Sequence, residues 1–95
     1  MNALGYDYER KYGITIKQYN EMVEQQSGKC VICKKIPDYI NRNGIKSSKL
    51  LVDHDKSTKR VRGLLCFHCN TGIGQLCHSI DLLEAAIKYL RKEEF

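Results

Sequence analysis

The sequence has no apolar run approaching the length of a membrane span, no internal repeat and no low-complexity linker. The first absence removes a membrane-crossing helix, which needs about 20 consecutive apolar residues. The second and third leave repeat arrays and disordered tails without a basis. A signal-peptide pattern is missing too, because Met1-Asn2-Ala3-Leu4 gives way at once to Tyr6-Asp7-Tyr8-Glu9-Arg10. The expected compartment is therefore a reducing cytoplasm. Bulk is also short: 95 residues make one domain whose core is too small to be comfortable without a staple. Acid is scarce where base is plentiful. From Lys29 to Arg62 ten Lys and Arg face only Asp38, Asp53 and Asp55, whereas the rest of the chain carries six against eight. With a net charge of +5, this points to a polyanionic partner, the bland alternative being a solvated basic loop.

Cysteine supplies the staple. Cys30-x-x-Cys33 and Cys66-x-x-Cys69 are two matched turns, and in a reducing compartment such pairs read as thiolates on zinc rather than disulfides. Each turn offers two sulfurs to one side of a tetrahedral ion, and two turns close it, so this zinc is expected to be structural. A thiol redox pair is the rival reading, and it is set aside because neither pair is expected to follow a strand and open a helix. Cys77 with His78 offers a spare ligand pair, although burial of Cys77 beside Leu76 and Ile80 is the preferred reading.

Along the chain, residues 1–13 form a lead-in without a clear period, and residues 14–28 an N-terminal helix. Thr15 and Gln18 make a capping box, and Ile14 and Tyr19 a hydrophobic staple. The spacing of Ile16, Tyr19, Met22 and Val23 predicts a helix over 16–26, stopped by Ser27-Gly28. Residues 29–78 form the zinc-bound core. Within it, Pro37 and Asn41-Arg42-Asn43-Gly44 mark a polar excursion expected to hold no packed element. Leu50 to His54 and Val61 to Leu65 read as an antiparallel hairpin, and a helix is expected after Cys69. Residues 79–95 read as a packing helix capped by Ser79 or Asp81, with Ile80, Leu83, Ala86, Ile87 and Leu90 on one face.

The chemistry gathers on this hairpin. His54 is the candidate general base, since an imidazole is mostly neutral at pH 7 and takes a proton from an attacking water. Asp53 and Asn70 offer hard oxygens suited to a magnesium or manganese ion. Strict alternation sends Asp53 and His54 to opposite faces, so a shared site requires the strand to end, bulge or twist there. In the alternative reading Asp53 merely caps the turn. Lys56, Lys59, Arg60 and Arg62 are placed to hold backbone phosphates of DNA.

Tyr12-Gly13-Ile14-Thr15 with Tyr19, the two cysteine pairs, Val52-Asp53-His54-Asp55, the run from Val61 to Leu65, Asn70 and Gly72-Ile73-Gly74 resemble the recombination endonuclease VII family of phages. The resemblance covers roughly residues 10–90. It implies an α+β, zinc-stapled ββα-metal (His-Me finger) nuclease fold of the His-Asn-His type, a short antiparallel hairpin with flanking helices. It further implies structural zinc on Cys30, Cys33, Cys66 and Cys69, magnesium on Asp53 and Asn70, and His54 as base in hydrolysis of DNA phosphodiester bonds. Host cytoplasm is the implied location for a phage-encoded chain, and a homodimer is compatible with it. The family often has a second His where Lys56 stands, and its junction-resolving members carry additional C-terminal helices, so junction resolution is not expected to carry over. The competing function is a zinc-stapled DNA-binding module without catalysis, which would have no need of Asp53, His54 and Asn70 together.

Overall fold

The computed structural model describes residues 13–92. The lead-in assigned to residues 1–13 lies outside them except for Gly13. Helix α1 spans Ile16–Gln25, β1 Tyr39–Ile40, β2 Lys46–Ser47, β3 Leu51–His54, β4 Val61–Leu65, α2 Phe67–Gln75 and α3 Ile80–Leu90. Helices and small antiparallel sheets are thus mixed, in the order expected of an α+β chain.

Helix α1 starts where local chemistry directs it. Thr15 Oγ1 accepts the Gln18 N–H at 3.0 Å, while the Thr15 N–H donates to Gln18 Oε1 at 2.8 Å, completing the capping box. The helix ends one residue earlier than expected, with Gln26 as its C-cap. That residue then does something no periodicity foretells. Its side-chain amide donates to the Leu64 carbonyl at 3.0 Å and accepts the Leu64 N–H at 3.1 Å, pairing with β4 as a neighbouring strand would. Leu64 has no exposed surface, so both of its backbone groups need partners.

Strands β3 and β4 pair antiparallel from Leu51↔Leu65 to Asp53↔Gly63, and the register then shifts so that His54 faces Val61. The turn between them is fixed by Asp55, whose Oδ1 accepts from Ser57 and Thr58 N–H at 2.8 and 2.9 Å. Those two donors hold the Asp55 carboxyl below the usual carboxylate range. Asp55, not Asp53, therefore caps the turn. The core gathers Cys30, Leu50, Leu64, Leu65 and Cys66, with Tyr19, Met22 and Val23 of α1 packed against it. Tyr19 also donates its hydroxyl to the Leu50 carbonyl at 2.7 Å.

Four expectations need correcting. Helix α2 begins at Phe67, not after Cys69: Cys66 is its N-cap, its sulfur accepting the Cys69 N–H at 3.4 Å. The polar excursion does contain an element, the β1–β2 hairpin, whose strands are too short for a periodic signal. Cys77 is exposed rather than buried, because Cys77 and His78 are both left-handed (φ 59° and 53°) and turn the chain outward after α2. Helix α3, capped by Ser79 through the Leu82 N–H at 3.1 Å, packs less than its pattern suggests. Leu83 and Ala86 are half-buried, but Ile80, Ile87 and Leu90 stand exposed.

Candidate functional site

The two cysteine turns converge. One sulfur from each of Cys30, Cys33, Cys66 and Cys69 lies within 4.8 Å of the others, and Cys33 Sγ stands 3.9 Å from Cys66 Sγ. Four sulfurs about 2.3 Å from one tetrahedral zinc lie about 3.8 Å apart, so the cluster has the size of such an ion's ligand shell. Its electrostatics ask for a cation. Burial pushes the Cys30 thiol up, but N–H groups of Cys33, Cys66 and Ile32 outweigh it and bring the pKa down to about 6. Burial, and then hydrogen bonds and charge from Cys66 and Cys30, push Cys69 up to about 12. One thiolate thus forms readily and raises the cost of the next, a repulsion that a divalent ion removes. Four cysteines are positioned to hold a metal ion, consistent with structural zinc. The ground for setting a redox pair aside does not hold for Cys66-x-x-Cys69, which follows β4 and opens α2. Convergence with the other pair is the better reason.

On the neighbouring face, an open cavity of about 690 Å³ is lined by Asp53, His54, Lys56, Lys59, Asn70 and His78, with Gly13 at its edge. The register shift between Asp53 and His54 is the irregularity that alternation required for both to border one space. Asn70 reaches it from α2, which packs on β3 and is fixed at its start by two of the cysteines. Gly13 adopts φ 78°, and a Cβ there would lie 3.6 Å from His54 Nε2. A residue with a side chain would be strained there by its backbone, although its Cβ would meet that nitrogen only at ordinary contact distance.

The expected cations separate into three groups. Lys56 and Lys59 line the cavity. Arg60 is exposed and does not line it. Arg62 is turned to Asp53: Nε donates to Oδ2 at 2.8 Å and a terminal nitrogen to Oδ1 at 3.2 Å. The same terminal nitrogen stands 3.0 Å from His78 Nδ1. A guanidinium has donors only, so in this contact Arg62 donates and His78 Nδ1 accepts. Asp53, 6% exposed, is thereby neutralised by a fork rather than left as a bare charge. Sequence reasoning missed this role for His78. The only local signal was its place directly after α2, where the chain reverses.

A stability prediction follows from the pair. Arg62→Ala strips a buried carboxylate of its counter-ion and should lower stability by about 1–3 kcal/mol, below the full cost for a wholly buried pair because Arg62 is partly solvated. Urea unfolding should show a lower midpoint, and Asp53→Asn in the same chain should recover part of the loss. A single variant as stable as the parent would mean that the cavity hydrates Asp53 without help.

Residues 6–92 match the family described as recombination endonuclease VII. The Gene 59 protein of Mycobacterium phage D29 is 46% identical over 82 residues, covering 85% of this chain and 46% of that protein. The Gene 59 protein of Mycobacterium phage L5 is 42% identical over 80 residues, covering 83% of this chain and 44% of that protein. The chain thus spans less than half the length of these two relatives. With the family match running through both cysteine pairs and the cavity residues, the chain belongs to the recombination endonuclease VII family.

Proposed function

We propose that this chain is a metal-dependent DNA endonuclease of the His-Asn-His, ββα-metal type. The observation that carries the reading is the bulge that lets Asp53 and His54 border one cavity with Asn70, beside lysines and next to the cysteine cluster. His54 is the general base, taking a proton from the water that attacks phosphorus. Lys56 and Lys59 attract and orient the phosphodiester, while Asp53 from β3 and Asn70 from α2 present oxygen donors.

The donor set suits a hard ion. Each Asp53 oxygen accepts one hydrogen bond from Arg62 and keeps a second lone pair, and the Asn70 amide adds a neutral oxygen. Magnesium or manganese held there would polarise the phosphate and stabilise the departing oxygen. Arg62 keeps the carboxylate in one orientation meanwhile. The non-catalytic alternative draws on the same pair, since an Asp53 engaged by Arg62 could serve the fold alone.

Nicking of supercoiled plasmid with magnesium, repeated with excess chelator, separates the two. The nuclease reading expects relaxed circles only when the divalent ion is present. Plasmid left supercoiled by zinc-loaded protein, under conditions in which it binds DNA, would favour the binding module.

A further inference from the structure

The β1–β2 hairpin plays no part in the cavity, yet it is built with care. Tyr39 pairs with Ser47 and Ile40 with Lys46. The Gly44 N–H donates to the Asn41 carbonyl at 2.9 Å, and the Asn41 N–H to the Ile45 carbonyl at 3.0 Å. Asn41 Oδ1 accepts twice more, from the N–H groups of Asn43 at 2.8 Å and Ile45 at 3.0 Å. Gly44, at φ 78°, supplies the left-handed residue that a three-residue hairpin loop requires. Arg42 is thereby held at an exposed tip. The base is anchored as well: the Tyr39 ring stacks on Phe67 at 4.0 Å, and Phe67 opens the helix that carries Asn70.

This projection has two unusual properties. Ile40 and Ile45, one on each arm, are 62% and 61% exposed. A single exposed isoleucine is unremarkable, but the register sets Ile40 beside Lys46 on one face and Ile45 beside Asn41 on the other, so the preorganised tip carries an apolar flank on each side behind Arg42, a shape suited to a groove with two walls. Charge says what docks. Lys29, Lys34, Lys35, Arg42, Lys46 and Lys49 face the single acid Asp38, so this segment alone carries the whole +5 of the chain. Its occupant is a polyanion that also offers apolar surface between its charges, and DNA presents both along its grooves.

We propose that the β1–β2 hairpin is a second DNA contact that enters the minor groove, Arg42 leading and Ile40 and Ile45 lying against sugars and base edges. The inference rests on the reading of the chain as a DNA-acting protein. The minor groove is favoured over the major because an arginine with apolar wedges is the usual equipment there, whereas Asn41, which could read a base edge, is spent on the turn. Two consequences follow. Part of the affinity does not depend on salt, since apolar contact releases no counterions. The duplex beside the cavity is also widened or bent by the hairpin.

The test is fluorescence anisotropy on zinc-loaded protein with A·T-rich duplexes in the presence of a magnesium chelator, over a range of salt. The double variant Ile40→Thr/Ile45→Thr, which keeps β-branched residues, should bind roughly tenfold more weakly at every salt with the slope unchanged. Arg42→Gln should weaken binding and reduce the slope by about one. Wild-type protein should displace a minor-groove dye that the Thr variant leaves in place. Wild-type affinity in both variants, or an undisturbed dye, overturns the proposal. Arg42→Gln changes only an exposed tip, so it carries the test even if the Thr variant folds poorly. Wild-type protein that binds through the hairpin but never nicks plasmid sinks the nuclease reading alone. Wild-type protein that nicks plasmid while both hairpin variants keep wild-type affinity and salt slope sinks this one alone.

Discussion

Stripping the metal from the four-cysteine cluster should abolish the cooperative unfolding transition. The buried cluster among the described residues has five members, and two of them, Cys30 and Cys66, belong to the four cysteines positioned to hold a metal ion. Among the described residues, the largest fully buried side chains are those of Leu64 and Cys30. Such a core supplies little margin, whereas structural zinc contributes about 10–16 kcal/mol in small metal-dependent domains at neutral pH. That exceeds the whole net stability of a typical domain, about 5–15 kcal/mol. Without the ion, four sulfurs within 4.8 Å must remain largely protonated, and their convergence becomes a liability. Elemental analysis should give about one zinc per chain. Thermal scans before and after chelation then decide the matter: a metal-free chain that keeps its transition would show that the thiols only decorate a fold held by other means.

His54→Ala should reduce the cleavage rate by about 10² to 10⁴ while changing DNA affinity little. The imidazole borders the cavity on the bulged end of β3, whereas the charge that attracts phosphate lies on Lys56, Lys59 and the segment from Lys29 to Lys49. The loss should therefore appear in single-turnover rates at saturating protein and not in binding titrations. His54 is half-buried and lies outside the hydrophobic cluster, and the urea midpoint of the variant separates lost chemistry from lost fold. Near-normal turnover in this variant would falsify the assignment of His54 as base.

What the sequence disclosed was set largely by range. Thr15 and Gln18 lie three residues apart, so their reciprocal capping is written locally. The cysteine spacing similarly announces two knuckles, and two short apolar runs flanking a polar turn mark β3 and β4. The start of α2 escaped because Cys66, a metal-type residue, also serves as its cap, and Gly72 and Gly74 dilute the helical signal. The Asp53–Arg62 fork escaped because a charged pair across a hairpin looks from the sequence like two separate functional candidates. His78 was invisible for the same reason, being 16 residues from Arg62. Alternation did identify the need for an irregularity at Asp53-His54, but its form depended on the partner strand.

The side-chain amide of Gln26 guards the sheet against its own edge. A two-stranded hairpin has an outer edge open to any passing strand, and this amide covers β4 at Leu64 with a donor for the carbonyl and an acceptor for the N–H, while the Val31 N–H reaches the same carbonyl at 3.3 Å. A carboxylate in its place, as in Gln26→Glu, would remove the donor and set a negative oxygen against the carbonyls of Leu64 and Lys29. The edge would then be easier for a strand of another copy to join, and such a protein would self-associate through β4 more readily than the parent.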